Sequence, residues 1–367
     1  GISQLRTASG TTLTLGQVIY KVSSVETPDK KVNVGSTWKD SASEAIGKNL
    51  TYRVTQKIPN WTGYDHYYLA LNDTLGTGLD YGSLTSITVG GKALASTFYK
   101  ENVNGKTISW LFGINGDILA SDASKAALPV GATITVTYTA TLNENAVVGG
   151  AGNVNSATIQ YSNDPSSTGT GESEPDKVRV FTYGFTVDKY TGDNYNDAAT
   201  RLAGAEFTLT AKGDTSAIKF VQVNAGSATE DAVYRVAKAG ETAGTTTTIT
   251  TPANGKVVFQ GLKNGEYTLT ETKAPAGYNK LASAIGVKVN GSNDGTDTTN
   301  ATVNITYNND NNDTTYDQTA SNGVIPVQNK SGAILPGTGG MGTIAFTVIG
   351  VLVIALGVAW TLKRKNA

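Results

Sequence analysis

In Ile134-Thr135-Val136-Thr137-Tyr138-Thr139-Ala140, apolar side chains alternate with threonine at every step. A strand turns successive side chains to opposite faces, so a period of two fits a half-buried antiparallel strand and no helix. The same period recurs in Leu50-Thr51-Tyr52-Arg53-Val54, Ala157-Thr158-Ile159-Gln160-Tyr161, Val303-Asn304-Ile305-Thr306-Tyr307 and Ile325-Pro326-Val327-Gln328-Asn329. Helical windows are few and short, at 41–46 and 118–127. Clusters of Gly, Asn and Asp separate the strands, which points to an all-β chain built from β-sandwiches.

The C-terminus follows another rule. Residues 343–362 carry no charge, and about 20 residues cross a ~30 Å hydrocarbon core as one helix. Lys363-Arg364-Lys365 follows and marks the cytoplasmic end, placing everything before the run outside the membrane. Just upstream stands Leu335-Pro336-Gly337-Thr338-Gly339. Taken alone, that pentapeptide reads as a flexible hinge in a tail-anchored protein. Motif, apolar span and basic tail in that order resemble the cell-wall sorting signal of Gram-positive surface proteins. The resemblance implies that a sortase cuts between Thr338 and Gly339, so that the chain is exported and then covalently attached.

Without this tail, roughly 330 residues remain, enough for two domains of ordinary size. The net charge of −1 gives no electrostatic case for a nucleic-acid partner. The chain has no cysteine, which excludes disulfides, a Cys nucleophile, thiolate metal sites and a Cys–Gln thioester. Met341 is the only methionine and Gly1 the first residue, so we expect a processed form or a fragment.

We expect a first sandwich over 1–181, with the residues before about 27 as a lead-in strand or remnant, and a second sandwich over 182–331. Residues 332–342 then form the linker with the sorting motif, 343–362 the transmembrane helix, and 363–367 the basic tail. The Ser/Thr/Gly/Glu-rich stretch 166–175 reads as a loop or linker. Val178-Arg179-Val180-Phe181 reads as the closing strand of the first domain, with Gly184 at the junction. The polar stretch 308–313 lacks an EF-hand glycine and terminal Glu and reads as a solvated loop. No cofactor and no metal are expected.

In the second half, three polar residues stand where alternation calls for apolar ones. Lys189 shares a face with Phe185 and Val187, Glu271 with Tyr267 and Leu269, and Asn329 with Ile325 and Val327. A Lys and a Glu inside a sandwich are expensive unless paired or neutralised. The alternative is a shifted register, or a strand edge from which the charges reach water.

Tyr267-Thr268-Leu269-Thr270-Glu271-Thr272-Lys273-Ala274-Pro275-Ala276-Gly277-Tyr278 resembles the E-box of Cna B-type domains. Val187-Asp188-Lys189, with Leu202-Ala203-Gly204-Ala205-Glu206-Phe207, is similar to that family's opening strands. Val327-Gln328-Asn329-Lys330-Ser331-Gly332 is similar to its closing strand. The resemblance implies an immunoglobulin-like sandwich holding a Lys189–Asn329 isopeptide bond, formed without an enzyme and promoted by Glu271. The chemistry is coherent, since burial favours a neutral, nucleophilic amine. The implied part for Glu271 is to hydrogen-bond the carboxamide oxygen and relay protons as ammonia leaves.

A parallel set stands in the first half. Lys30 shares parity with Val32 and Val34 while Lys31 points the other way; Leu69, Leu71 and Asp73 share a face, as do Asn155, Ala157 and Ile159. Ile58-Pro59, Asn72-Asp73-Thr74-Leu75 with Gly78-Leu79-Asp80-Tyr81, and Asn155-Ser156-Ala157 leading to Tyr161-Ser162-Asn163-Asp164-Pro165 resemble the middle domain of sortase-assembled pilin backbone subunits. That resemblance implies a Cna A-like sandwich whose Lys–Asn bond is assisted by an Asp, here Lys30, Asn155 and Asp73. A surface role for Lys30, and Asn163 as acceptor, stay open. The family also uses a lysine, usually in Tyr-Pro-Lys, to accept the Thr of the next subunit. Val18-Ile19-Tyr20-Lys21-Val22 lacks the Pro, which leaves Lys21 as candidate linking lysine or as a solvated strand lysine.

The expected function is structural: the backbone subunit of a sortase-polymerised pilus on the cell surface. Its expected partners are pilin-class and housekeeping sortases, further copies of itself and peptidoglycan, with ancillary pilins and a host surface beyond these. The alternative is an ancillary pilin or a monomeric wall-anchored adhesin. For that, Trp61, Tyr64, Tyr67 and Tyr68 are the candidate binding face; otherwise they are part core and part interdomain packing. No enzyme is expected beyond the intramolecular condensations. The single histidine, His66, has no nucleophile elbow to accompany it. Asp122-Ala123-Ser124-Lys125-Ala126 lacks the second Ser of the metal-binding adhesive motif.

Overall fold

A computed structural model describes residues 5–6, 12–13, 25–310 and 314–332. Lys21, the motif Leu335 to Gly339, the apolar run 343–362 and the basic tail 363–367 lie outside the described residues. Leu5–Arg6 and Thr12–Leu13 form a short antiparallel pair. Among the described residues no helix is long and apolar enough to cross a membrane.

The alternating segments become strands with alternating burial. In Thr133–Leu142 the residues Ile134, Val136, Tyr138, Ala140 and Leu142 face inward and the threonines between them do not. Its antiparallel neighbour Asn49–Lys57 repeats the pattern. These strands share one sheet with Asp29–Val34, Thr37–Lys39, Leu79–Val89 and Lys92–Ala93. The facing sheet contains Tyr99–Asn104, Thr107–Phe112, Leu69–Leu75, Asn153–Ser162, Asp176–Phe181 and Ser41–Ser43, with Thr170–Glu172 paired to Asn153–Ser162. Between them lies one apolar core that includes Tyr52, Leu71, Trp110, Tyr138 and Ile159.

The second sandwich repeats this design. One sheet runs Thr245–Thr246, Phe220–Asn224, Ala232–Val236, Lys256–Leu262, Tyr183–Thr191 and Val324–Asn329. The other runs Ile249–Thr250, Glu206–Ala211, Gly265–Lys273, Ile285–Gly291, Val303–Asn308 and Gln318–Thr319. Its first and last strands, Tyr183–Thr191 and Val324–Asn329, lie side by side and parallel. The architecture is thus two β-sandwiches in tandem.

Only Thr182, fully buried, separates the strand Asp176–Phe181 from Tyr183–Thr191. Gly184, expected at the junction, lies inside the second of these strands, where a Cβ would stand 2.2 Å from the Phe259 carbonyl oxygen. Ile46 inserts into the second core, and paired backbone hydrogen bonds join Gly150 to Ala301 at 3.0 and 2.7 Å. The two sandwiches therefore pack directly on one another.

Two local expectations need correction. The window 41–46 is not helical: Ser41–Ser43 is a strand parallel to Asp176–Phe181, because Ala42 and Ile46 are drawn into different cores. The stretch 166–175 is not all loop, since Thr170–Glu172 pairs with Asn153–Ser162. The window 118–127 holds a 3₁₀ turn, Ile118–Ala120, and the α-helix Asp122–Ala127, capped by the Ser121 hydroxyl accepting from the Ser124 amide at 3.1 Å.

Candidate functional site: two buried lysine–asparagine–acid clusters

In the second sandwich, strand register brings the three polar residues of the sequence reading into one dry compartment. Lys189 lies opposite Val327 on the parallel neighbour, and Asn329 follows two residues later on the same face. Glu271 comes from the facing sheet, paired with Phe207. The Lys189 and Glu271 side chains are both 0% exposed, with Nζ and Oε2 3.2 Å apart. The approach is off hydrogen-bond geometry, so the amine and that carboxylate oxygen form an ion-pair contact only. Burial among residues such as Phe207, whose ring centre is 5.9 Å from Nζ, lowers the Lys189 pKa to about 8, with the Glu271 charge opposing the shift.

Glu271 Oε1 accepts from Asn329 Nδ2 at 2.9 Å and from the Leu281 amide at 2.9 Å. Asn329 Nδ2 also donates to the Asn279 carbonyl at 2.8 Å. The expectation that Glu271 meets the carboxamide oxygen is therefore corrected. Oε1 is committed as an acceptor by the Leu281 amide, and so it receives the carboxamide nitrogen. Asn279 and Leu281 were missed in the sequence. They follow the E-box directly, in a segment whose Asn279 amide donates to the Lys330 carbonyl at 3.0 Å and folds over Asn329. Behind Lys189, buried Asp188 takes an ion pair from Arg201 Nε at 2.9 Å and a hydrogen bond from the Tyr195 hydroxyl at 2.7 Å. The Lys189 backbone is held on both sides, its amide donating to Gly255 and its carbonyl accepting from Leu202.

The first sandwich assembles its cluster across the two sheets. Lys30 comes from Asp29–Val34, while Asp73 and Asn155 lie on adjacent antiparallel strands of the opposite sheet. All three are 0% exposed. Val34, expected on the same inward face, is exposed because the strand leaves the core there. Lys30 Nζ donates to Asp73 Oδ2 at 2.5 Å and to the Tyr138 hydroxyl at 2.5 Å. That hydroxyl donates to Asp73 Oδ2 at 2.8 Å and accepts from Asn155 Nδ2 at 2.7 Å. Burial lowers the Lys30 pKa and raises that of Asp73, each opposed by the other's charge. Lys31 points outward, as expected, and pairs with Asp40. Asn163 sits in the loop after Asn153–Ser162, with its amide on the Gly169 carbonyl at 3.2 Å. Tyr138 was missed, although the alternation that opens the sequence analysis put it on the core face.

The remaining candidates fall elsewhere. Tyr67 is buried, and Trp61 and Tyr64 pack on the first core, with Trp61 Nε1 donating to Leu128 at 3.0 Å. Trp61, Tyr64 and Tyr67 thus pack in or on the first core rather than between the sandwiches, and Tyr68 is half-buried, its amide donating to the Ser162 hydroxyl at 2.8 Å. His66 is exposed, its Nδ1 2.7 Å from Asp117 Oδ2. Asn308 is buried, its Oδ1 accepting from the Gly286 amide at 3.1 Å. Among the described residues no group of three His, Cys, Asp or Glu could hold a metal ion.

Comparison with known proteins gives a consistent picture. Residues 46–165 match the model of the Gram-positive pilin backbone subunit 2, Cna-B-like domain. Residues 193–306 match a prealbumin-like fold domain, and 327–367 the LPXTG cell wall anchor motif. The first description names a Cna-B-like domain where the sequence reading expected a Cna A-like one. The trypsin-resistant surface T6 protein of Streptococcus pyogenes is 24% identical over 291 residues, 72% of this chain and 45% of that protein. The chain thus spans about half the length of this curated relative. In fold it is similar to the 35 kDa C-terminal fragment of the major pilin GBS80 of Streptococcus agalactiae (22% identity, 83% of this chain and 99% of that one, TM-score 0.54). It is also similar to the T6 backbone pilin of S. pyogenes, described as a modular three-domain structure (17% identity, 84% and 70% covered, TM-score 0.52). With a pilin-backbone domain, a prealbumin-like domain and a wall-anchor motif matched in tandem, the chain is similar to Gram-positive backbone pilins and is a cell-wall-attached surface protein.

Proposed function

We propose that this chain is the shaft-forming subunit of a sortase-polymerised pilus, stiffened by two autocatalytic isopeptide bonds, Lys30–Asn155 and Lys189–Asn329. The observation that carries the reading is the pair of dry compartments, each holding a lysine, an asparagine and an acid at or near zero exposure. A sandwich that needed only stability would fill these positions with aliphatics, because buried charges cost more than they return. Condensation removes that cost: amine and carboxamide become an uncharged amide and ammonia leaves. At the second site the acid lies against the carboxamide nitrogen, the atom that must gain a proton to depart.

In polymerisation, a pilin-class sortase takes Thr338 as a thioester and releases Gly339 with the tail. Lys21 of the incoming subunit resolves the thioester, and a housekeeping sortase passes the last subunit to peptidoglycan. The test incubates the folded ectodomain, carrying its sorting motif, with a pilin-class sortase and maps the products by mass spectrometry. A ladder of SDS-resistant multimers joined Thr338 to Lys21, absent in Lys21→Ala, is expected. Attachment to wall peptide alone would overturn the shaft role and leave an ancillary pilin or monomeric adhesin.

A further inference from the structure

The two clusters differ in how the acid reaches the carboxamide. In the second, Glu271 holds Asn329 Nδ2 directly at 2.9 Å. In the first, Asp73 is one methylene shorter. Its Oδ1 and the Asn155 Oδ1 have no hydrogen-bond partner, although both are buried. The gap is filled by the Tyr138 hydroxyl, which contacts the nucleophile Lys30 Nζ at 2.5 Å, the acid Asp73 Oδ2 at 2.8 Å and the leaving nitrogen Asn155 Nδ2 at 2.7 Å. In the second cluster the aromatic ring over the amine is Phe207, which has no hydroxyl.

We propose that Tyr138 is a catalytic residue of the first condensation, carrying the proton from Lys30 Nζ to the departing nitrogen of Asn155. The proposal rests on the reading that Lys30 and Asn155 condense. Asp73 first takes one proton from the Lys30 ammonium, leaving a neutral amine and a neutral acid. Nζ then bonds to Asn155 Cγ, and the bond from Cγ to Nδ2 breaks. As it becomes an amide nitrogen, Nζ sheds a proton to the Tyr138 oxygen. Tyr138 gives its own proton to Nδ2, which leaves as ammonia. Tyr138 ends as it began, and Asp73 remains in its acid form.

The site is built for that transfer. Tyr138 is fully buried and its ring is fixed by Tyr52, stacked at 5.5 Å, and Trp110 at 5.2 Å. Burial holds its phenol in the protonated form, so it has a proton to give and returns to that state. A positioned proton carrier contributes on the order of 100-fold or more in rate.

The test follows intact mass over time in freshly synthesised, folded full ectodomain. Tyr138→Phe should slow loss of the first ammonia by on the order of 100-fold, while the second ammonia is lost at the normal rate. Asp73→Ala is run beside it. Retention of the first ammonia in the wild type would overturn the condensation reading itself, whereas Asp73→Ala should block that bond. Loss of the first bond there, with normal loss in Tyr138→Phe, would overturn the carrier alone. A fluorinated tyrosine placed at 138 separates chemistry from packing, because it keeps ring and hydroxyl but acidifies the phenol. A shifted rate–pH profile is expected, and an unchanged one would overturn the proposal even if Tyr138→Phe fails to fold.

Discussion

Lys189 and Asn329 lie on parallel neighbouring strands, offset by one repeat on a shared inward face, with Lys189 opposite Val327 and Asn329 opposite Thr191. Both ends of the second sandwich's chain therefore meet at one buried point, and Glu271 reaches that point from the other sheet. Because the strands are parallel, tension entering at Tyr183 and leaving after Asn329 loads their hydrogen bonds in shear. A bond between Lys189 and Asn329 shunts that load past everything between them.

Replacing Glu271 by Ala is expected to restore one ammonia to the intact mass, leaving the first bond untouched. By the chain-entropy argument for crosslinks, a bond closing so long a loop contributes on the order of 4–5 kcal/mol. The melting temperature of the second sandwich should fall by roughly 10 °C or more. Intact mass and calorimetry on the same sample check both; an unchanged mass would remove Glu271 from its role.

An unlinked form of the second sandwich should respond to pH in a defined direction. In Asn329→Ala, Lys189 remains an amine whose pKa is held near 8 against 10.5 when unfolded. Between those values the unfolded chain binds more protons than the folded one, so stability rises with pH. Falling from about pH 10.5 to 8 should cost roughly 3 kcal/mol, and little more is lost below that. Denaturant titrations across this window provide the measurement, and the linked wild type should lack this Lys189 contribution. The rate of bond formation should likewise climb as pH rises toward 8, as the neutral amine becomes abundant.

The parity of Lys30, Asp73, Asn155, Lys189, Glu271 and Asn329 was legible because a period of two sets which face a side chain takes, wherever one face is buried. What covers each site was not. Asn279 and Leu281 act through their backbone, which any residue carries, and Tyr138 looks like an ordinary core aromatic until the opposing sheet delivers Lys30 and Asn155 to its hydroxyl. The window 41–46 was misread as helical because it serves two cores at once: Ala42 packs in the first and Ile46 in the second. No single-face periodicity can report that.

The contact between the sandwiches turns on a glycine. Gly47 has φ +85°, and a Cβ there would stand 2.6 Å from the Lys238 Cα of the second sandwich. Main chain cannot move aside as a side chain can, so Gly47→Val should push the sandwiches apart while leaving both isopeptide bonds in place. Small-angle scattering should show a longer molecule than wild type, with two ammonias still missing from the mass. Unchanged scattering would mean that the interface tolerates the wedge.

Force on one subunit offers the strictest test of the crosslinks acting together. With both proposed bonds formed, tension entering near Lys30 would cross to Asn155, continue along the chain to Lys189, and cross again to Asn329. Residues 31–154 and 190–328 are bypassed. Only the stretch 156–188, which includes the strand Asp176–Phe181 and the junction Thr182, is held by non-covalent contacts. At 3.3–3.6 Å per residue that stretch can lengthen to at most roughly 120 Å. Lys189→Met, which keeps an unbranched side chain but removes the amine, should add a second event of roughly 450–500 Å as the bypassed residues are released. Single-molecule pulling on the subunit, gripped before Lys30 and after Asn329, reads both lengths. A wild-type extension as long as that of the variant would show that no covalent bridge spans the second sandwich.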